Sequence, residues 1–239
     1  MPKLLNLRIV NARFNDGKNI YEDFLMPFYG CNATYELING GGKSVLLMLL
    51  MQCILPKSHL TPDHPFKDMF LGKDENRTTH VLAEWELEKS ISDKKYLLTG
   101  FCAKKKIAQE EDSRSDEIQS FNYLHNYEKR NDFDIQNIPL CSYENKEFIV
   151  RDYSKTHSLL KEKGHEYDIR LTEKKREYQE WLKNYYLLES EWDLIKQINR
   201  RENHLKPELF AHLGNNFTLS FPSSSLTFLG TSVICSNPS

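Results

Sequence analysis

Six consecutive residues, Asn39-Gly40-Gly41-Gly42-Lys43-Ser44, carry the clearest chemistry in the chain. Gly42-Lys43-Ser44 is the second half of the phosphate-binding pattern G-x-x-x-x-G-K-[ST], which needs a strand before it and a helix behind it. Glycines there let successive backbone N–H groups turn inward around phosphate oxygens. The N-terminus of the helix adds the positive end of its dipole. In that arrangement the Lys43 ammonium reaches the β- and γ-phosphates, and the Ser44 hydroxyl ligates Mg²⁺. The expected cofactors are therefore ATP and Mg²⁺, with Asn39, Gly40, Gly41, Gly42, Lys43 and Ser44 as the nucleotide-binding residues and Ser44 also the metal ligand. One residue departs from the pattern: its first glycine falls at position 37, where this chain has Leu37. Glycines at 40, 41 and 42 restore flexibility, and a strand-end leucine with negative φ also satisfies the backbone. The plain alternative is a glycine-rich turn that happens to precede Lys-Ser.

The elements around this loop have the required order. Leu4, Leu5, Leu7, Ile9 and Val10 read as a first strand, and Asn15-Asp16-Gly17 as a turn. Residues 20–29 read as a second strand and 33–38 as a third, rich in β-formers. The segment Val45 to Leu55 is apolar nearly all round, so it is expected to be a buried helix, ended by Pro56. Residues 79–88 and 94–103 alternate and predict an antiparallel hairpin, with Trp85 in the core and Glu84 exposed. Residues 118–127 and 141–150 read as further strands.

Helical spacing dominates the last third. Residues 154–163 predict a short helix ending near Gly164. Tyr178, Trp181, Leu182 and Tyr185, then Leu188, Trp192, Ile195 and Ile198, repeat on one face, and Thr172 with Glu173 marks a start. Beyond Lys206 and Glu208 no Lys, Arg, Asp or Glu occurs up to Ser239. Residues 1–205 are therefore read as one domain. The stretch 206–239, charge-free from Leu209 on, is read as a non-native or disordered tail, as a frame-shifted end of a truncated gene would give, with a partner-packing hydrophobic tail as the alternative.

The strand–loop–helix run resembles the N-terminal ATPase head of SMC-like chromosome-segregation proteins, with RecF-type repair ATPases as relatives. The residues that carry the resemblance are Asn39 to Ser44, Val45-Leu46-Leu47 behind them, the opening Leu7-Arg8-Ile9-Val10-Asn11, and Asn32 ahead of the third strand. Within that superfamily the chain is most similar to the MukB-like branch, including the SMC-like subunit of Wadjet-type anti-plasmid condensins. The resemblance implies an α/β fold of the P-loop NTPase class: an ABC/SMC-type N-terminal half-head with a mixed sheet around the loop helix, an antiparallel lobe and C-terminal helices. It implies ATP binding in chromosome organisation or anti-plasmid defence. The implied partners are the C-terminal half of the same head, a second head, kleisin-like subunits and DNA. Such heads take their acidic Mg²⁺ motif and Ser-Gly-Gly signature from the C-terminal half. This sequence contains no Ser-Gly-Gly; its nearest approach to the acidic motif, Phe148-Ile149-Val150-Arg151-Asp152, is interrupted by Arg151. Little hydrolysis is therefore expected from the chain alone. The rivals are a self-contained P-loop NTPase of another class and a degenerate fragment that binds no nucleotide.

Composition narrows the remaining options. With 32 basic and 34 acidic residues the 239-residue chain is neither a basic nucleic-acid coat nor an acidic tail. Cysteines at 31, 53, 102, 141 and 235 have no C-x-x-C spacing and are expected to be reduced, which points to a cytoplasmic protein without membrane contact. His59 and His64 flank Asp63, a weak metal candidate. Lys104-Lys105-Lys106 is a solvated run or a phosphate contact for DNA. Asn11 and Asn32 read as turn or edge residues before nucleotide contacts, and Gln52 as helix packing.

Overall fold

A computed structural model describes residues 2–14, 18–31, 33–34, 42–58, 78–105 and 118–194, together with 218–221, 224–227 and 234–235. The elements in chain order are β1 (Lys3–Phe14), β2 (Asn19–Pro27), β3 (Ala33–Thr34), α1 (Lys43–Gln52), β4 (Thr78–Glu86), β5 (Tyr96–Lys105), β6 (Ile118–Tyr127), β7 (Cys141–Glu144) and β8 (Glu147–Val150). They continue with α2 (Tyr153–Tyr167), β9 (Ile169–Thr172), α3 (Lys175–Lys183), β10 (Thr218–Phe221), β11 (Ser224–Thr227) and β12 (Ile234–Cys235). Residues 189–194 are also helical.

The chain is α/β, with a mostly antiparallel set of strands and few helices. Six strands form one sheet in the order β2-β1-β4-β5-β6-β9. Every neighbouring pair in it is antiparallel. Both faces of this sheet are covered, which explains why β4 and β5 are apolar on both sides yet still alternate. Val81, Ala83 and Trp85 of β4 face α1 with Leu97 and Phe101 of β5, and Tyr178 and Leu182 of α3 join them. Leu82, Leu98 and Cys102 face the other way, against Phe133, Ile135 and Leu140 and against Tyr153 and Leu160 of α2. The period of two therefore sorts residues between two cores, not between core and water.

That second layer corrects the reading of Glu84. The carboxylate is fully buried. It accepts hydrogen bonds from Asn6 Nδ2 at 2.7 Å and Arg130 Nη2 at 3.0 Å, and from the hydroxyl of Tyr127. A buried charge survives only when paired and hydrogen-bonded, and this one is both. Arg8, also buried, ties β1 to the same layer. Its guanidinium donates to the carbonyls of Ile135, Gln136 and Ile138 at 2.9, 3.1 and 3.3 Å and pairs with Asp23 of β2 at 2.8 Å.

Local chemistry sets the remaining boundaries. Asn11 has φ 57° and interrupts the β1–β2 ladder without shifting it, since Val10 still pairs with Asp23 and Ala12 with Tyr21. Its Nδ2 donates to the carbonyl of Thr78 of β4 at 3.0 Å, on an interior strand of the sheet. Segment 141–150 is not one strand but the hairpin β7–β8, a separate two-stranded sheet turning on Asn145 and Lys146, both with positive φ. Asp152, the acid that follows it, caps α2 by accepting from the amide of Lys155 at 2.9 Å. The helix then runs through Gly164 to Tyr167, longer than the sequence pattern suggests, and ends on Asp168 in the left-handed region. Thr172 closes β9 instead of opening a helix. Its hydroxyl accepts from the amide of Lys174 at 3.1 Å, and α3 starts three residues later.

The parallel pairing in the described residues joins β3 to β11, within a four-stranded sheet ordered β10-β11-β3-β12. The described strands of the charge-free tail thus pair with the strand that leads towards the glycine loop. The rest of 206–239 lies outside the described residues. No helix among the described residues is long and apolar enough to cross a membrane.

Candidate functional site

The candidate site is the start of α1. The helix begins at Lys43, directly after Gly42, whose φ and ψ of 83° and 22° place it in the left-handed region. That conformation favours glycine. Space demands glycine as well: a Cβ on Gly42 would lie 2.7 Å from the Tyr21 hydroxyl and 3.1 Å from the Phe14 ring. Those rings belong to the β1–β2 hairpin. Phe14 stacks on Tyr21 with centroids 4.8 Å apart, and Tyr21 stacks on Phe24 at 5.1 Å. Burial pushes the Tyr21 phenol up to about 12. An aromatic wall thus holds the turn into the helix from one side.

The two ends of α1 differ sharply in how their backbone groups are satisfied. At the C-terminal end, the carbonyl of Gln52 accepts from Asn122 Nδ2 at 3.1 Å and that of Cys53 from the Tyr178 hydroxyl at 2.7 Å. The Gln52 side chain, itself fully buried, accepts from the amide of Lys57 at 2.7 Å and donates to the carbonyls of Met48 and Ser58. At the N-terminal end the cap residue is Gly42, which has no side chain to offer, and no acidic residue sits in the first turn. The first intrahelical bond runs from the amide of Leu46 to the carbonyl of Gly42 at 2.8 Å. The amides before it are the orphan donors every helix start leaves. Ser44, the second residue of the helix, is exposed. From Leu46 onward the helix is buried against β1 and β4. A buried, C-capped helix whose uncapped start stays polar and open can hold an anion by its amides and dipole.

Of the expected site residues, the structure places Gly42 and Ser44 side by side at this start and puts the backbone of Lys43 between them. Asn39, Gly40, Gly41, Leu37, Asn32 and the side chain of Lys43 lie outside the described residues, as do His59, Asp63 and His64. The residues missed by sequence reasoning are Phe14 and Tyr21 beside Gly42, and Asn122 and Tyr178 at the far end of α1. Only the first pair left a trace in the sequence, as aromatics flanking the Asn15-Asp16-Gly17 turn.

Other candidates resolve into structure. Lys104 places its ammonium 5.2 Å from the centre of the Tyr153 ring, a cation–π contact, and Lys106 lies outside the described residues. Tyr178 is fully buried, with Trp181 and Tyr185 packed beside it. Burial pushes the thiols of Cys53 and Cys102 up, so neither is a ready nucleophile. Among the described residues, no group of three or more His, Cys, Asp or Glu side chains is placed to hold a metal ion. The chain matches no protein-family model and no curated protein.

Proposed function

We propose that the chain binds ATP with Mg²⁺ through Asn39 to Ser44 and serves as the N-terminal lobe of an SMC-like ATPase head. One observation carries the reading: among the described residues α1 is capped by side chains at its C-terminal end, while its N-terminal end, where Gly42, Lys43 and Ser44 stand, has a glycine cap and no acidic residue in the first turn. The left-handed glycine at the cap leaves room for a ligand beside the first amides, where a Ser, Thr or Asp side chain would otherwise fold over them. In this reading the loop amides cradle the β-phosphate, Lys43 neutralises the β- and γ-oxygens, and Ser44 holds Mg²⁺. The resemblance supplies the family, and the antiparallel sheet beside α1 fits the lobe that it implies. The same sheet argues against a compact nucleotide kinase, whose core is parallel.

The test is calorimetric titration of ATP with Mg²⁺ into the wild-type chain and into Lys43→Ala. A charge-assisted contact contributes roughly 1.5–3 kcal/mol. Loss of the ammonium therefore weakens binding by about one to two decades. Equal affinity in the two proteins would remove the phosphate site.

A further inference from the structure

On the face of the sheet opposite α1, helix α2 and strand β9 enclose an open groove of about 580 Å³. One wall is a single helical face: His157, Lys161, Gly164 and His165, spaced by four, three and one. The other wall is the unbroken run 168–173, which is β9 with one flanking residue at each end. Alternate side chains of a strand point to opposite faces, so an unbroken run can line one groove only if the strand presents its edge to it. β9 is the last strand of the six and pairs with β6 alone among the described residues. Its outer backbone donors and acceptors therefore line the floor. Gly164 sets the spacing of the walls: a Cβ there would stand 3.0 Å from the carbonyl oxygen of Ile169.

The groove carries both signs, but its acids are already engaged. Asp168 is engaged by Lys94 at 2.8 Å, and Glu173 accepts from the Tyr153 hydroxyl at 3.1 Å. Lys161 and His165 have no ion-pair partner among the described residues, and Arg170 reaches only Asp168, at 3.9 Å. The floor offers strand pairing, and the walls offer the unpaired ammonium of Lys161, the exposed guanidinium of Arg170 and the imidazole of His165. We propose that this groove takes an extended acidic segment of a partner protein as an added strand on β9. Main-chain hydrogen bonds supply the affinity, and carboxylates against Lys161, His165 and Arg170 supply the choice of partner. A segment of about six residues, roughly 20 Å, fills it. The chain's own tail does not fit this chemistry, because residues 209–239 contain no acid. The proposal stands apart from the nucleotide site and does not depend on it.

Fluorescence anisotropy with a labelled, acetylated (Glu-Val)₄ peptide tests the idea on the full chain. The expected result is saturable binding that weakens at least about tenfold with (Lys-Val)₄, and as much when alternate amides of the acidic peptide are N-methylated. The double variant Lys161→Glu, His165→Glu, both exposed, should weaken binding to the same degree while its thermal unfolding midpoint stays that of wild type. No saturable binding, or binding indifferent to N-methylation or to the double variant, would overturn the proposal. Tighter peptide binding after replacing Glu110, Glu111 and Asp112 by alanine would assign the groove to this chain's own acidic run and equally overturn it.

Discussion

Gly42 carries two separate constraints, and they can be pulled apart. Its φ of 83° costs a non-glycine residue about 1–2 kcal/mol. The Tyr21 hydroxyl, 2.7 Å from a would-be Cβ, adds an overlap that the β1–β2 hairpin cannot easily relieve. Gly42→Ala is therefore expected to destabilise the chain by about 2 kcal/mol and to weaken ATP binding, because the first amides of α1 shift with the turn. Adding Tyr21→Phe to that variant removes the overlap and leaves the dihedral strain. A urea double-mutant cycle should show a favourable coupling of about 1 kcal/mol between the two substitutions. Strict additivity would mean that Gly42 and Tyr21 do not press on each other. The phosphate pattern itself was legible because its residues are contiguous. Tyr21 was not, since its role depends on a hairpin register that places it beside a loop twenty residues away in sequence.

The join between β4 and α2 depends on a neutral histidine. His80 is fully buried, and its Nε2 lies 2.9 Å from the carbonyl oxygen of Arg151, just before α2 begins. Burial lowers its pKa to about 4, with Arg8 and Arg151 acting in the same direction and the Arg151 carbonyl and Asp152 against it. A folded-state value below the unfolded one means that the unfolded chain takes up the proton first as pH falls. Stability contributed by the neutral ring is complete above about pH 7 and is lost progressively as pH drops from about 6.5 towards 4. Between pH 7.5 and 5 the loss from this group should be about 2 kcal/mol. His125, lowered chiefly by burial, adds to the slope in the same direction. Urea midpoints across that range should fall for wild type and fall much less for His80→Gln. An unchanged slope in the variant would remove His80 from the account. Elements such as β4 and β5 were legible from their alternation. Which face meets water was not, because alternation separates two faces without saying that segment 130–140 and α2 cover the second one. Glu84 was misread for that reason. The Asn145-Lys146 turn was hidden by its short strands, and the true start of α3 by a threonine whose hydroxyl serves the loop before the helix.

The six-stranded antiparallel sheet is covered on both faces, by different elements on each. On one face α1 is sealed into the core from Leu46 onward and at its C-terminal end, and among the described residues its first backbone hydrogen bond starts only at the amide of Leu46. On the other, α2 and β9 enclose a groove lined by Lys161, His165 and Arg170. The strand-rich middle followed from periodicity, and the α/β class from the resemblance that the loop residues carry. The division of labour between faces did not, because it depends on long-range contacts such as Asn122 to Gln52 and Tyr178 to Cys53 that no local pattern encodes. The central claim is that ATP docks its phosphates on the start of α1. Amide chemical-shift mapping of the ¹⁵N-labelled chain during titration with ATP and Mg²⁺ tests it most directly. The account predicts that the largest shifts fall on the amides of Gly42 to Leu46, fade towards Gln52, and vanish in Lys43→Ala at the same ATP concentration. Largest shifts on α2 and β9, or anywhere else with Gly42 to Leu46 unmoved, would contradict it.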